Sequence, residues 1–117
     1  MFQSLDILRM AQSFASHASI RQQAIAQNMA NADTPGFRAR DVVSFDQFFA
    51  DSANGHRPTD PLQAMRLDPD PVTRSPDGNT VSLEHEMMRA ASVRQQHETA
   101  LGIYSMARDM LRASIGR

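Results

Sequence analysis

Residues 28 to 45, NMANADTPGFRARDVVSF, decide how the rest of the chain is read, because a long helical run ends inside them. Asp33 and Thr34 are mediocre helix residues, and Pro35 pushes the residue before it toward extended geometry. A helix arriving from the N-terminal side therefore stops near Asn31 or Ala32. Pro35 then supplies a fixed negative φ and Gly36 tolerates a positive one, the combination a type II turn requires. The chain is redirected at this point.

Upstream, from Leu5 to about Ala32, apolar residues fall at Ile7, Ala11, Phe14, Ala18, Ile25 and Ala32, three or four apart, with Arg21 and Asn28 as polar interruptions. Leu8, Ala15 and Met29 widen this stripe into a helical face. The opposite face carries Gln12, Ser13, Ser16, Ser19, Gln22, Gln23 and Gln27. Uncharged polar groups hydrogen-bond to a neighbouring surface without the cost of burying an ion, so this pattern suits a helix touched on several sides.

Downstream of the turn, five of the six prolines interrupt the chain between Pro58 and Pro76, with neither helical nor alternating periodicity. Only DVVSFDQFFA, residues 41 to 50, has apolar side chains able to dock, namely Val42, Val43, Phe45, Phe48 and Phe49. A loop-rich excursion is expected, with a short strand or helical turn near Val43 to Phe49 and mobility from about residue 50 to 77.

A second long helix follows PDGNT. Ser82 suits the N-cap, Glu84 and Glu86 sit in the first turn where the dipole favours anions, and Arg108, Arg112 and Arg117 gather at the other end. Its expected apolar stripe runs Leu83, Met87, Ala90, His97, Leu101, Tyr104, Leu111 and Ile115, with Arg94 and Arg108 as interruptions, broadened by Ala100, Ile103, Ala107 and Met110. Gly102 costs about 1 kcal/mol relative to Ala in a helix interior and indicates either a close backbone approach or a tolerated defect.

These features predict an all-α fold in which two long terminal helices pair as an antiparallel coiled-coil-like hairpin around a loop-rich, partly disordered middle segment. The expected division is a helix over 1–32, a turn with a short docking segment over 33–49, a flexible Pro-rich loop over 50–81 and a helix over 82–117. Two helices alone leave each stripe partly open, against an ordering cost of about 1–2 kcal/mol per residue. Other chains must cover the remainder, as in an assembly subunit.

Composition agrees. Of 117 residues 41% are hydrophobic but only 6% aromatic, with no Trp, which suits helix packing better than a β-sandwich core. Twelve basic residues, all Arg, nearly balance 13 acidic ones, so there is no polycationic surface for nucleic acid. Without Lys there is no Schiff-base or P-loop lysine, and without Cys no disulfide or thiolate metal site. No run approaches the roughly 20 apolar residues of a membrane span, and the first twenty residues lack the pattern of a cleaved secretory leader.

The pairs His85-Glu86 and His97-Glu98 do not make a zinc motif. Positions 85 and 97 lie about 18 Å apart along a helix axis. DPDPVTRSPDGN fails the calcium-loop pattern because Thr73 stands where the loop needs Gly. No catalytic residue, cofactor, metal or small-molecule substrate is expected.

Two stretches are more specific. RQQAIAQNMANADTPGFRARD, residues 21 to 41, resembles the N-terminal signature of the bacterial flagellar axial proteins, the rod and hook subunits. DGNTVSLEHEM, residues 77 to 87, resembles the partner signature at the start of their C-terminal helix. The Ala-Asp-Thr-Pro-Gly-aromatic run followed by Arg-Ala-Arg-Asp, in so short a chain, is most similar to the proximal rod subunits of that family. The resemblance covers residues 1–49 and 77–117. Phe37, Arg38 and Ser82 stand where Tyr, Lys and Asp are common, each keeping the local chemistry.

The resemblance implies a non-enzymatic building block of the flagellar basal-body rod, needed for flagellum assembly, torque transmission and motility. It further implies a periplasmic location and export by the flagellar type III apparatus without a cleaved signal. The implied partners are other copies of the chain, adjacent rod proteins, the rod-to-ring adapter and the export gate. The alternatives are an adapter hairpin of the export apparatus or ring, or another short rod subunit. A membrane-lying helix is disfavoured by the lack of a basic polar face.

Asn28 and Asn31 either cap and fray the helix end or fix register against a neighbouring subunit, and the resemblance favours the second. Asp33, Thr34, Pro35, Gly36 and Phe37 would hold the turn, with Phe37 as an apolar plug against the second helix. Asn79 belongs to the second motif. Leu83, Met87, Leu101, Tyr104, Leu111 and Ile115 are the expected stripe residues at subunit interfaces. Met87, Met88, Met106 and Met110 read as adaptable packing material.

Overall fold

The turn-forming residues act where expected. In the computed structural model, which describes residues 2–55, 61–71 and 73–116, helix α1 spans Phe2–Ala30 and the chain leaves it through a run of turns. Thr34-Pro35-Gly36-Phe37 closes with Phe37 N–H donating to the Thr34 carbonyl at 3.2 Å, and Gly36 has φ +77°, as a type II turn demands. Arg117, expected at the basic end of the second helix, and Pro58 lie outside the described residues, as do residues 56–60 and 72 of the expected mobile stretch.

Strand β1 (Arg40–Val42) follows, then helix α2 (Phe45–Ala53), a 3-10 turn (Pro61–Ala64), strand β2 (Met65–Leu67) and helix α3 (Leu83–Ser114). Ser44 caps α2 by accepting from Gln47 N–H, and Ser82 caps α3 by accepting from His85 N–H, both at 3.4 Å. Glu84 and Glu86 occupy the first turn of α3 and Arg112 the last, complementing its dipole. None of the described helices is long and apolar enough to cross a membrane.

The helices α1 and α3 form an antiparallel hairpin in a molecule 63 × 27 × 19 Å. Gln96 of α3 donates to the Phe14 carbonyl of α1 at 3.3 Å, while Asn79, just before α3, meets the far end of α1. On α1 the seam uses the stripe read from the sequence, with Ala11, Ala18 and Ile25 buried. On α3 it does not. The buried positions are Glu86, Val93, Ala100 and Ala107, a strict seven-residue repeat.

The seam of α3 is thus rotated by one residue, about 100°, from the expected stripe. Leu83, Met87, Leu101, Tyr104 and Ile115 point outward, with Met87 63% exposed, and Leu111 is half-buried. The reason is steric. Alanine on both helices at the crossing lets the backbones come close, whereas Leu and Tyr would hold them apart. Gly102 is on the outward side, and a Cβ there would meet nothing within 4 Å among the described residues, so no close approach to another element explains it.

The middle segment packs along one side of α1. β1 and β2 form an antiparallel pair, Arg40 opposite Leu67 and Val42 opposite Met65, extended by Asp68 N–H to the Ala39 carbonyl at 2.9 Å. Phe48 of α2 is buried, and Phe45 meets Phe14 of α1 edge-on with ring centroids 4.8 Å apart. Both a strand and a helix therefore occur around the expected docking segment. The second strand, within the stretch read as loop, was invisible to periodicity because three residues carry too little pattern.

Candidate functional site

The two motifs meet at one end of the hairpin. The turns that follow α1 present carbonyl groups outside any helix. Asn79 supplies them from 45 or more residues away: its Nδ2 donates to the carbonyls of Asn31 (2.9 Å), Ala32 (3.0 Å) and Thr34 (2.8 Å). Its Oδ1 accepts from Val81 N–H at 2.7 Å, and its own N–H donates to Asp77 Oδ1 at 3.0 Å. The side chain is 2% exposed. One buried amide thus holds the turns that leave the first helix and orders the approach to the second.

Thr80 adds two further ties, its N–H donating to the Phe37 carbonyl at 3.0 Å and its Oγ1 accepting from Ala39 N–H at 2.7 Å. The loop turns at Ser75-Pro76-Asp77-Gly78, where Gly78 has φ +88° and an added Cβ would stand 3.4 Å from the Gly36 Cα. The glycines of the two motifs therefore face each other. A side chain at either would strain a positive φ, and at Gly78 it would also rest against Gly36.

Asn28 is fully buried. Its Nδ2 donates to the Arg40 carbonyl at 2.8 Å and its Oδ1 accepts from Arg40 N–H at 2.9 Å, so the amide pairs with β1 as a strand neighbour would. Both ends of the side chain are spent within the chain. Within the chain, this polar residue on the seam of α1 is the hook for β1.

Asn31 takes the local option. Its Nδ2 donates to the Gln27 carbonyl at 2.8 Å and its Oδ1 accepts from Thr34 Oγ1 at 3.1 Å, a helix-end cap. Asp33 and Pro35 are exposed. Phe37 is half-buried and is held to the second motif by its backbone carbonyl.

Charged side chains next to the junction form a network that periodicity does not disclose. Arg89 of α3 contacts Asp68 at 2.9 Å, Glu86 at 3.3 Å and Asp41 at 3.7 Å, and Arg21 of α1 contacts Asp41 at 3.3 Å. Two guanidinium groups and three carboxyls from α1, β1, the end of β2 and α3 thus share one site. Glu86 is 1% exposed, and its Oε2 has no hydrogen-bond partner among the described residues. Burial pushes the Glu86 carboxyl above the ordinary carboxylate range, while Asn28, Arg89 and His85 oppose the shift and Asp41 adds to it. Arg21 was visible in the sequence as a charge interrupting an apolar stripe, the one advance sign of this network.

His17, also buried, ties α1 to the middle segment through the Val43 carbonyl at 2.7 Å and to α3 through Gln96 Nε2 at 2.9 Å. Burial lowers its pKa below the usual histidine value; the Val43 hydrogen bond and Asp41 oppose this, and Arg21 reinforces it. The contacts of Asn28, Asn79, Thr80, His17, Arg21 and Arg89 join separate segments of the chain. The chemistry of the site is fastening.

Its features define a class: an elongated helical hairpin of the flagellar axial kind, with two turn motifs bolted together at one end and an apolar outer face along its second helix. The profile of the flagella basal body rod protein family matches residues 8–38, the hairpin's first helix and the Thr-Pro-Gly turn. The chain is 32% identical to the flagellar basal body rod protein FlgB of Yersinia ruckeri, covering 88% of this chain and 89% of that one. It is 30% identical to FlgB of Escherichia coli (strain K12), with 90% of each chain covered, and 26% identical to FlgB of Agrobacterium fabrum, with 98% and 96% covered. The chain belongs to the FlgB family of flagellar basal body rod proteins.

Proposed function

We propose that this rod-family chain is a structural subunit of the proximal rod in the periplasm, exported without a cleaved signal, and that its work is mechanical. Interlocked helical hairpins resist shear as torque passes along the rod, and no catalytic step is involved. Its partners are further copies of itself, the adjacent rod proteins, the rod-to-ring adapter and the export gate.

One observation supports this reading above the others. The apolar residues of α3 that a lone chain would be expected to bury, Leu83, Met87, Leu101, Tyr104 and Ile115, face outward along an elongated body. An exposed apolar face of this kind, interrupted at Arg94 and Arg108, marks an interaction surface. Rigid ties at the motif junction keep that face straight, so a load on it reaches both helices.

The test is a double substitution, Leu101→Glu with Tyr104→Glu, on two exposed positions. The far-ultraviolet circular dichroism of the chain stays unchanged, while cells carrying it form no rods by electron microscopy of basal-body fractions and do not swim. Normal rods and normal swimming would overturn the assignment of this face.

A further inference from the structure

His17 stands where four elements meet. Its Nε2 lies 2.7 Å from the Val43 carbonyl, its Nδ1 lies 2.9 Å from Gln96 Nε2 of α3, and its ring meets Phe45 and Phe48 of α2 edge-on at 5.7 and 5.4 Å. We propose that His17 is a proton-sensitive clasp that holds β1 and α2 on the helical hairpin when its ring is neutral and releases them when the ring is charged. This goes beyond the structural role of the rod subunit and does not depend on it.

A carbonyl only accepts, so Nε2 carries the hydrogen toward Val43. The Gln96 amide then donates into the lone pair of Nδ1, and the same nitrogen donates to the Phe14 carbonyl at 3.3 Å. Every donor meets an acceptor, but only for the neutral ring. A proton on Nδ1 sets N–H against the Gln96 amide nitrogen. Rotating that amide by 180° relieves the clash but brings its oxygen against the Phe14 carbonyl. Each orientation leaves one mismatch in a buried site, where mismatches are costly.

The surrounding charges do not rescue the cation. From α1 the facing group is Arg21, which opposes charging, and from β1 it is Asp41, which favours it but is already engaged by Arg21 and Arg89. From α3 the facing group is the neutral Gln96, and from α2 the two phenylalanine rings. A base whose folded pKa is depressed contributes stability that is present above pH 6.5 and lost as pH falls through the folded value. That loss falls on the contact with β1 and α2, because Val43, Phe45 and Phe48 are the groups the ring holds.

The experiment is amide hydrogen exchange on the full chain from pH 7.5 to 4.5, corrected to intrinsic rates, with an NMR titration of the histidine rings. His17 titrates below the ordinary histidine value of 6.5. Protection at the Val43 and Phe48 amides falls about tenfold per pH unit across the interval between the unfolded and folded pKa values, while Val93 and Ala100 keep theirs. His17→Gln, which cannot charge, abolishes the pH dependence. Gln96→Glu, which offers Nδ1 an acceptor, raises the His17 pKa and keeps the segment protected at acid pH. The clasp is overturned if Val43 and Phe48 show no protection at pH 7.5, if their protection is independent of pH, or if the acid loss persists with His17→Gln and is unmoved by Gln96→Glu.

Discussion

Replacing Asn79 tests the junction most directly. Asn79→Ala removes two N–H donors that three carbonyls share and the acceptor of the buried Val81 N–H. The orphaned Val81 donor costs about 1–3 kcal/mol, and each lost amide donor about 0.5–1.5 kcal/mol, since water reaches part of the exposed turn. The sum is about 2–6 kcal/mol, a large share of the 5–15 kcal/mol typical of a folded domain. Asn79→Asp keeps the Val81 acceptor but aims an oxygen at three carbonyls, so at pH 7 it is at least as destabilising as Ala. Its carboxyl becomes a donor when protonated, so it recovers stability below about pH 4. Urea denaturation followed by circular dichroism reads this as a fall in midpoint of about 2 M for a 4 kcal/mol loss at an m-value of about 2 kcal/mol/M. If Asn79→Ala stays within about 0.3 M of the parent, and Asp is no worse than Ala, the cap across the junction does not exist.

Gly36→Ala costs about 1–2 kcal/mol through backbone strain alone, since the added Cβ meets nothing within 4 Å; an unchanged urea midpoint would refute the positive φ. Arg89→Met leaves Asp41, Asp68 and Glu86 without their shared cation and costs about 3–5 kcal/mol, with Arg89→Lys intermediate. A loss below about 1 kcal/mol in the same assay would mean the network carries no strain when broken. Glu86 has a folded pKa raised above 4.5, so its contribution favours folding below that pH and is lost as pH rises through the folded value. Glu86→Gln is therefore closest to, or above, the parent in stability at pH 7–8, and falls behind it as pH drops toward 4.5. A stability gap that is constant with pH would refute the shift.

The turn at Thr34 to Phe37, the cap at Ser82 and the polarity of α3 depend on a few adjacent residues each. Proline restricts φ, glycine permits a positive one and a serine hydroxyl reaches the third amide beyond it, so local sequence determined these features and the all-α hairpin that they delimit. The stripe on α1 was legible for the same reason. What faces the stripe was not. On α3 the larger apolar residues were the natural choice for a seam, yet Val93, Ala100 and Ala107 took it because closeness of two backbones depends on both helices together. The asparagines show the same division. Asn31 caps its own helix, as its position allows, whereas Asn28 and Asn79 are assigned by segments 12 and up to 48 residues distant. Arg89 likewise joins carboxyls from β1, the end of β2 and α3. Such partners are chosen by where the folded chain brings its remote parts, a property of no short stretch of sequence.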